Sequence, residues 1–400
     1  MRISTFIFAS ILAIQSPLLA EPLAQTLAEP LAQPETIKTL AIGSQAPDFS
    51  LPGVDGKNNT LNDFSASKVL VAIFTCNHCP DARAARGKVI ALHNDYQKKG
   101  VAVVAISGND DKALRLDEIG YSVYGDSLED MKNVAEEEKY TFPYLYDGAT
   151  QKTTKDYGAV ATPHVFVFDA QRKLRYTGRI DDARRSRKNI GTPYVRQAIE
   201  ALLAGKEITT ATTRPFGCST KWSWKRDDVA KDNAKWESLP ITLGDLDDKI
   251  ATSLAANKTE KLRLINFWST VCGPCVAEFP DLIETYRRFQ NRPFELITIS
   301  VDPLDNKEQV KKFLAGHHAA LAPPTAKSVQ SENRTSNNYI YSGANLDKLA
   351  EAIDPNWNGS LPHSVLIAPG GEVIWRHSGR INAVELRRAI VAHLDEKQGE

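Results

Sequence analysis

Two pairs of cysteines carry the most distinctive chemistry in this sequence. It reads CNHC over 76–79 and CGPC over 272–275. Such a pair can cycle between two thiols and a disulfide if one sulfur ionises, but a free thiol, with a pKa of about 8.5, is mostly protonated at neutral pH. A helix N-terminus lowers that pKa through its unpaired backbone N–H groups. We therefore predict that Cys76 and Cys272 each begin a helix and attack the disulfide of a partner. Cys79 and Cys275 then resolve the mixed disulfide that this attack forms.

Each pair stands between an apolar run and a helical stripe. The runs 69–75 and 262–268 are typical of strands buried on both faces. After each pair, apolar residues recur with helical spacing: Ala85, Val89, Leu92 and Tyr96 in the first half, and Val276, Phe279, Ile283 and Tyr286 in the second. Further strands are predicted in matching order at 101–107 and 294–301, and after a proline at 165–168 and 364–368. This repetition predicts an α/β fold with two tandem copies of one unit, each a central mixed sheet flanked by helices.

The length of 400 residues favours two domains. We place them at 41–205 and 241–400. The segment 206–240 between them is predicted to be a linker that holds Cys218. Its three tryptophans, Trp222, Trp224 and Trp236, indicate that part of it packs on a domain.

Composition excludes several classes of partner. Lys+Arg and Asp+Glu are equal at 49 each, so there is no electrostatic basis for binding nucleic acid or an anionic membrane. Only five cysteines occur, and four of them lie in the two motifs. Cysteine therefore serves chemistry here and not the bracing of a disulfide scaffold.

The N-terminus predicts export. A basic start, an apolar run over 6–14 and a small residue at Ala20 indicate a signal peptide over 1–20. The proline-containing stretch 21–40 follows as a flexible tether. The run is short for a transmembrane helix, so no stable membrane span is expected after cleavage, although an uncleaved anchor is the alternative. The expected location is the periplasm or another oxidising extracytoplasmic space.

The residues inside the two motifs differ in charge. A protonated His78 would stabilise a thiolate beside it and make the first centre more oxidising, unless it is a solvated residue at the helix start. Gly273 and Pro274 offer no charge. If electrons pass between the domains, we expect them to flow from Cys272 and Cys275 to the first pair.

Metal binding is the competing use of such cysteines. A zinc knuckle usually needs four ligands, and no paired histidine follows either motif. A Cu(I) site made of Cys76, Cys79 and a distant His164 is a further alternative, since soft thiolates suit that ion. We predict no metal and no cofactor.

The second half resembles the TlpA/ResA branch of thioredoxin-like proteins. The resemblance covers about 240–396 and is carried by WSTVCGPC over 268–275, EFP over 278–280, LPH over 361–363 and PGG over 369–371. Val271 departs from the tryptophan that often precedes the first cysteine. The resemblance implies a cis Pro362 facing the motif, which leaves backbone groups free to bind a partner chain as a strand. It also implies that Glu278 is a buried carboxylate that assists proton transfer near Cys275, with an exposed helix residue as the alternative.

The first half resembles peroxiredoxin-like redoxin proteins of the AhpC/TSA type over about 41–222. The matching segments are FTCNHCP over 74–80, FPYLYD over 142–147, TPH over 162–164, YTGRIDD over 176–182 and FGCS over 216–219. A cis Pro163 is implied. True peroxiredoxins carry a threonine three residues before the peroxidatic cysteine, so in that alignment Cys79 would be peroxidatic and Cys76 would replace the threonine. Cys218 is then either a resolving thiol or a structural cysteine.

These observations predict an exported thiol-disulfide oxidoreductase. Its catalytic residues would be Cys76, Cys79, Cys272 and Cys275, supported by His78, Pro163, Pro362 and Glu278. Its partners would be proteins with dithiols or disulfides, and an upstream dithiol donor. Thiol peroxidase activity of the first domain and a Cu(I)-binding redox chaperone are the alternatives.

Overall fold

The computed structural model describes residues 36–183, 191–343 and 345–396. The predicted signal peptide and most of the predicted tether lie outside these residues. The last part of the tether is bound to the first half, because the Leu40 N–H donates to the Tyr157 carbonyl at 3.1 Å and the Thr39 hydroxyl donates to the Gly158 carbonyl at 3.0 Å. Residues 39 and 40, the end of the predicted flexible tether, are thus hydrogen-bonded to the first half. The domain boundaries stay a prediction.

The first half of the chain builds a five-stranded sheet with the order β5-β4-β3-β7-β8. Strands β3, β4 and β5 are parallel, and β7 and β8 run antiparallel. The strands are β1 (Ser50–Pro52), β2 (Asn58–Thr60), β3 (Val69–Thr75), β4 (Val101–Ser107), β5 (Tyr144–Tyr146), β6 (Ala161–Thr162), β7 (His164–Phe168), β8 (Leu174–Gly178) and β9 (Cys218–Ser219). The helices are α1 (Pro80–Tyr96), α2 (Leu128–Glu137), α3 (Lys152–Tyr157) and α4 (Tyr194–Leu203).

The second half builds a six-stranded sheet with the order β10-β13-β12-β11-β14-β15. Its strands are β10 (Gly244–Leu246), β11 (Leu262–Trp268), β12 (Phe294–Ser300), β13 (Asn338–Tyr341), β14 (His363–Ile367) and β15 (Val373–Ser378). Its helices are α5 (Arg226–Glu237), α6 (Asp248–Ala256), α7 (Gly273–Phe289), α8 (Lys307–Gly316), α9 (Pro323–Ser331), α10 (Leu346–Ile353) and α11 (Ala383–Glu396). Both halves are mixed sheets flanked by helices, so the predicted fold class is confirmed.

The central strands explain why each motif is held firmly. In β3, Val69, Val71 and Ile73 enter one apolar core, and Leu70, Ala72 and Phe74 enter another on the opposite face. A strand buried on both faces is fixed in register, because a one-residue slip would exchange its two faces. The predicted stripe of α1 is also buried. The loop between β3 and α1 therefore starts and ends at fixed points.

The two halves pack on each other through the C-terminal end of α7. The Arg292 guanidinium donates to the Gly120 carbonyl at 2.8 Å, and Arg288 donates to the Val123 carbonyl at 3.3 Å. A Cβ on Gly120 would lie 2.4 Å from the Arg288 carbonyl oxygen, so the close approach requires glycine there.

The predicted linker is partly structured. It contains β9 and α5, and it buries Trp222 and Trp236. The Trp236 indole N–H donates to the His318 carbonyl at 2.9 Å. Within the described ranges, none of the helices combines the length and apolar character needed to cross a bilayer.

Candidate active sites

The second motif lies at the start of α7. Cys272 is the N-cap residue of this helix, and the Cys275 N–H donates to its sulfur at 3.3 Å. The two cysteines form a disulfide. Cys272 is partly exposed and Cys275 is fully buried. Cys272 is therefore the sulfur that a partner can reach, at the position where a helix N-terminus stabilises a thiolate.

The surface around Cys272 is open. Val271 is 83% exposed, and the backbone at Gly273 and Pro274 is exposed as well. The Leu361–Pro362 peptide is cis. Among the described residues, no strand pairs with Leu361. Backbone groups beside this proline are thus available to an incoming extended chain.

Glu278 lies one helical turn after Cys275 and is fully buried. One carboxylate oxygen accepts from the Asn266 amide at 2.9 Å, and the other accepts from the Ile381 N–H at 2.8 Å. Burial raises the pKa of Glu278, although these two hydrogen bonds oppose the rise. The position agrees with the buried carboxylate that the resemblance implied and excludes the exposed alternative.

The first motif is placed differently, although its sequence pattern is the same. Helix α1 begins at Pro80, and its N-cap residue is Cys79 and not Cys76. Cys79 comes four residues after the end of β3, as Cys272 comes four residues after the end of β11. Cys79 is therefore the counterpart of Cys272. The prediction that Cys76 begins the helix is wrong.

The physical reason lies in the residue that follows the motif. Proline is favoured in the first turn of a helix, where its missing N–H leaves no unmade bond. Pro80 is the first residue of α1, directly after Cys79, whereas Pro274 is the second residue of α7 and lies inside the second motif. The two motifs are thus out of register by three residues. Cys76 occupies the place of Ser269, and Ala82 occupies that of Cys275.

Cys79 collects hydrogen bonds that favour a thiolate. The Cys218 N–H donates to its sulfur at 3.3 Å, and the neighbouring thiols of Cys218 and Cys76 and the Ala82 N–H also lower its pKa. The Cys76 thiol itself donates to the Thr162 hydroxyl at 3.2 Å. The Thr162 carbonyl oxygen, 3.2 Å away, is an opposing acceptor. The donors outweigh this acceptor and the burial, and they hold the pKa of Cys79 far below its ordinary value.

The two neighbouring thiols shift in the opposite direction. Burial, together with the negative charge of Asp126 and of Cys79, raises the pKa of Cys76 well above its ordinary value. The hydrogen bond to Cys79 and burial raise the pKa of Cys218. The three shifts together favour a thiolate on Cys79 and neutral thiols on Cys76 and Cys218.

His78 and Asp126 form a buried ion pair beside these thiols. The His78 Nδ1 lies 2.6 Å from the Asp126 carboxylate, and both side chains are at most 1% exposed. Burial by itself would lower the pKa of His78, but the Asp126 carboxylate outweighs it and the pKa is raised. The prediction of a charged histidine is supported over the solvated one. Its charge also interacts favourably with Cys79.

The metal alternatives fit this geometry poorly. The ligand atoms of Cys76, His78 and Asp126 lie within 4.8 Å of one another. However, the Asp126 oxygens already accept from the N–H groups of Asn77 and His78, the His78 ring and the Asn109 amide. His164, which the copper alternative requires, instead contacts the Thr177 hydroxyl at 3.1 Å, and burial lowers its pKa to about 4.

Strand β9 closes the first site. Thr162 pairs with Cys218 and Ala161 pairs with Ser219, directly before the cis Thr162–Pro163 peptide. The edge beside this proline is thus covered by the chain itself. All four residues of the first motif are buried, with Cys76 2% and Cys79 0% exposed.

Helix α7 contacts the first half far from Cys272. Cys272 caps one end of this helix, and Arg288, near the other end and about 24 Å away along the axis at 1.5 Å per residue, donates to the Val123 carbonyl of the first half. Arg83, one turn after Cys79, pairs with Asp395 of α11 at 3.2 Å. The flow of electrons between the two cysteine pairs stays a prediction.

A helix-capping cysteine motif that follows the central strand of a mixed sheet, with a cis proline before the adjacent strand, defines a thioredoxin-fold redox protein. Comparison with known families agrees. Residues 42–177 match the AhpC/TSA family, and residues 260–373 match the thioredoxin-like family. The chain therefore carries an AhpC/TSA domain in front of a thioredoxin-like domain.

Individual relatives match parts of the chain. The thiol-disulfide oxidoreductase ResA of Geobacillus thermodenitrificans is 26% identical over 136 residues, which are 34% of this chain and 68% of that protein. ResA of Oceanobacillus iheyensis is 24% identical over 28% of this chain and 45% of its own length. The crystal structure of a hypothetical protein from Sinorhizobium meliloti is 36% identical, with a TM-score of 0.42, and covers 46% of this chain and 97% of that one.

Sequence reasoning missed Asp126 and its counterpart Asp302. Asp302 braces the second motif loop by accepting from the Thr270 N–H at 2.9 Å and from the Ser269 hydroxyl at 2.9 Å. Both aspartates are far from the cysteines along the chain, and no motif marks them. By contrast, the register of Cys79 had a signal in the sequence, namely its distance from the end of the apolar run.

Proposed function

We propose that this protein is an exported thiol-disulfide oxidoreductase that exchanges disulfides with protein partners, chiefly through Cys272 and Cys275. The observation that carries the proposal is the open site at the start of α7, where a partly exposed Cys272 caps the helix and its disulfide partner is buried. A partner thiolate attacks Cys272, and Cys275 leaves. In the reverse direction, Cys272 attacks a partner disulfide and Cys275 releases the product.

Export is proposed from the N-terminal sequence, whose basic start and apolar run precede a small residue at Ala20. The names of the ResA relatives describe thiol-disulfide oxidoreductases, which supports the proposed reaction. An upstream dithiol donor is required to return the oxidised pair to its reduced state.

Cys275→Ser is expected to trap partners as mixed disulfides on Cys272. Without Cys275, no intramolecular thiol can resolve the complex. The measurement is mass spectrometry of the full chain, isolated from cells and also after exposure to a disulfide-containing peptide. Cys272→Ser combined with Cys275→Ser is the control and should trap nothing. A Cys275→Ser protein that forms no covalent complex would refute the proposed exchange. The same mass spectra test export, because a protein that keeps residues 1–20 in cells would refute the cleaved signal peptide.

Glu278 is proposed to carry the proton of Cys275 during exchange. Glu278→Gln is expected to lower the exchange rate about a hundredfold, within the range of general acid–base catalysis. Because burial raises the pKa of Glu278, the carboxyl group stays protonated above the ordinary value of about 4.3. The wild-type rate should then rise with pH through that higher value, and this limb should be missing in the variant. Peptide disulfide reduction across pH measures it.

The matched control is Glu385→Gln, since Glu385 is exposed in the first turn of α11. It should keep both the rate and the pH profile. If Glu278→Gln lowers the rate equally at every pH, the residue acts through structure and not as a proton carrier.

Thiol peroxidase activity of the first domain is a second candidate. It is favoured by the position of Cys79, which caps α1 with a strongly lowered pKa, while Cys76 precedes it by three residues. A small peroxide needs far less access than a protein partner does.

A further inference from the structure

Cys218 lies where a partner chain would bind. Its strand β9 pairs antiparallel with the two residues before the cis Pro163. In the second domain, the same edge at Leu361 is uncovered within the described residues. The first domain therefore carries a built-in strand at this edge, with a cysteine placed against the Cys79 sulfur.

Gly217 allows this close approach. Its φ is +136°, and a Cβ there would lie 2.1 Å from the Thr162 carbonyl oxygen. An alanine at this position would both strain the backbone and push β9 away from β6. The contact between Cys218 and Cys79 therefore depends on the geometry of β9 and not only on the thiol.

Exposure separates the three thiols of this site. Cys76 and Cys79 are buried, whereas Cys218 is partly exposed. A disulfide between Cys76 and Cys79 would be sealed from external thiols. A disulfide between Cys79 and Cys218 would present its outer sulfur to them.

We infer that Cys218 is a third redox cysteine, which carries the disulfide of the buried Cys76–Cys79 pair to the surface. This inference goes beyond the activity proposed for Cys272 and Cys275 and does not depend on it. The buried disulfide forms by the same route in reverse: Cys218 exchanges with a disulfide of the glutathione or protein class, and the resulting disulfide passes through Cys79–Cys218 to Cys76–Cys79, so that the external disulfide leaves as two thiols.

The transfer is balanced without a further oxidant. The Cys218 thiolate attacks Cys79, the bond to Cys76 breaks, and Cys76 leaves with the electron pair and takes the proton that Cys218 lost. An external thiolate then attacks the exposed Cys218 sulfur and releases Cys79. A second external thiol frees Cys218, so two thiols leave as one disulfide. The contact of Cys218 with Cys79 directs the first exchange to Cys79. In the second exchange Cys79 leaves readily, because a sulfur of low pKa leaves faster.

The test uses the full chain with Cys272→Ser and Cys275→Ser, so that only the cysteines of the first site can form disulfides. The chain is oxidised with glutathione disulfide, and its disulfides are mapped by proteolysis at acid pH and mass spectrometry. We expect both Cys76–Cys79 and Cys79–Cys218 peptides. Adding Cys76→Ser should leave only the Cys79–Cys218 disulfide. Adding Cys218→Ser should slow both the oxidation of the first site by glutathione disulfide and its reduction by dithiothreitol about tenfold or more, since the remaining pair is buried.

Gly217→Ala is the matched variant that keeps every thiol. It should lower the yield of Cys79–Cys218 severalfold and leave Cys76–Cys79 unchanged. Two results would overturn the inference. One is a Cys76→Ser chain in which Cys79 and Cys218 stay unjoined, and the other is a Cys218→Ser chain that is reduced at the parental rate.

Discussion

Cys272→Ser is expected to lower the rate of protein disulfide reduction at least about a thousandfold, since a serine hydroxyl does not replace a thiolate as nucleophile. The loss should be this large because Cys272 is the exposed sulfur of the exchange pair, at the N-cap of α7. The measurement is insulin reduction with a dithiol donor in excess, corrected for the uncatalysed rate.

Cys79→Ser is the matched control, because Cys79 caps α1 as Cys272 caps α7. Its burial and the cover by β9 predict that insulin reduction stays within about twofold of the wild type, provided that thermal unfolding shows an intact fold. Equal losses in the two variants would contradict the division of work between an open and a closed site. That result would mean that protein disulfides reach the site in the first domain.

The second prediction with a large expected effect concerns the ionisation of the Cys79 thiol. With the second pair replaced by serine, the reduced chain should keep one thiolate near pH 5, where an ordinary thiol of pKa about 8.5 is ionised to about one part in three thousand. The sign follows from the donors around Cys79, which depress its pKa, so its charge persists as pH falls. Ultraviolet absorbance of the thiolate across pH measures this.

Variants assign that thiolate. Cys79→Ser should abolish the absorbance that survives acid, whereas Cys76→Ser should weaken it only slightly, since Cys218 and the N–H groups of Ala82 and Cys218 remain as donors. The thiols of Cys76 and Cys218 should ionise at a higher pH than an ordinary thiol does, because their pKa values are raised. If the thiols of Cys76, Cys79 and Cys218 all titrated near pH 8.5, the low pKa of Cys79 would be refuted. The same protein also decides the peroxidase candidate, which requires peroxide consumption that Cys79→Ser abolishes.

Most of the scaffold could be predicted from local patterns. The apolar runs predicted β3, β4 and β11 to the residue, and the helical stripe ended at Tyr96, which is the last residue of α1. Short or polar elements were harder. Strand β13 carries only four residues, and α5 lies in a charged stretch whose buried side chain is Trp236. Their stability comes from packing against other elements, which no local period reveals.

The candidate sites, like the scaffold, were predictable from the sequence only in part. The sequence alone determined that two cysteine pairs follow central strands, that Glu278 follows the second pair by one turn, and that a proline precedes the returning strand in each half. These are short-range facts, set by spacing along one strand and one helix. The prediction that Cys76 begins a helix as Cys272 does was wrong, because the pattern of cysteines was given more weight than their distance from the strand.

Only the tertiary structure decided which sulfur holds the charge and which site is open. Thr162 and Cys218 meet Cys79, and Asp126 meets His78, from distant parts of the chain, and these hydrogen bonds act over about 3 Å. Sequence proximity cannot report such contacts. The same two-thiol pattern therefore becomes an accessible disulfide in one domain and a sealed, charged cluster in the other, because a single strand, β9, covers one of them.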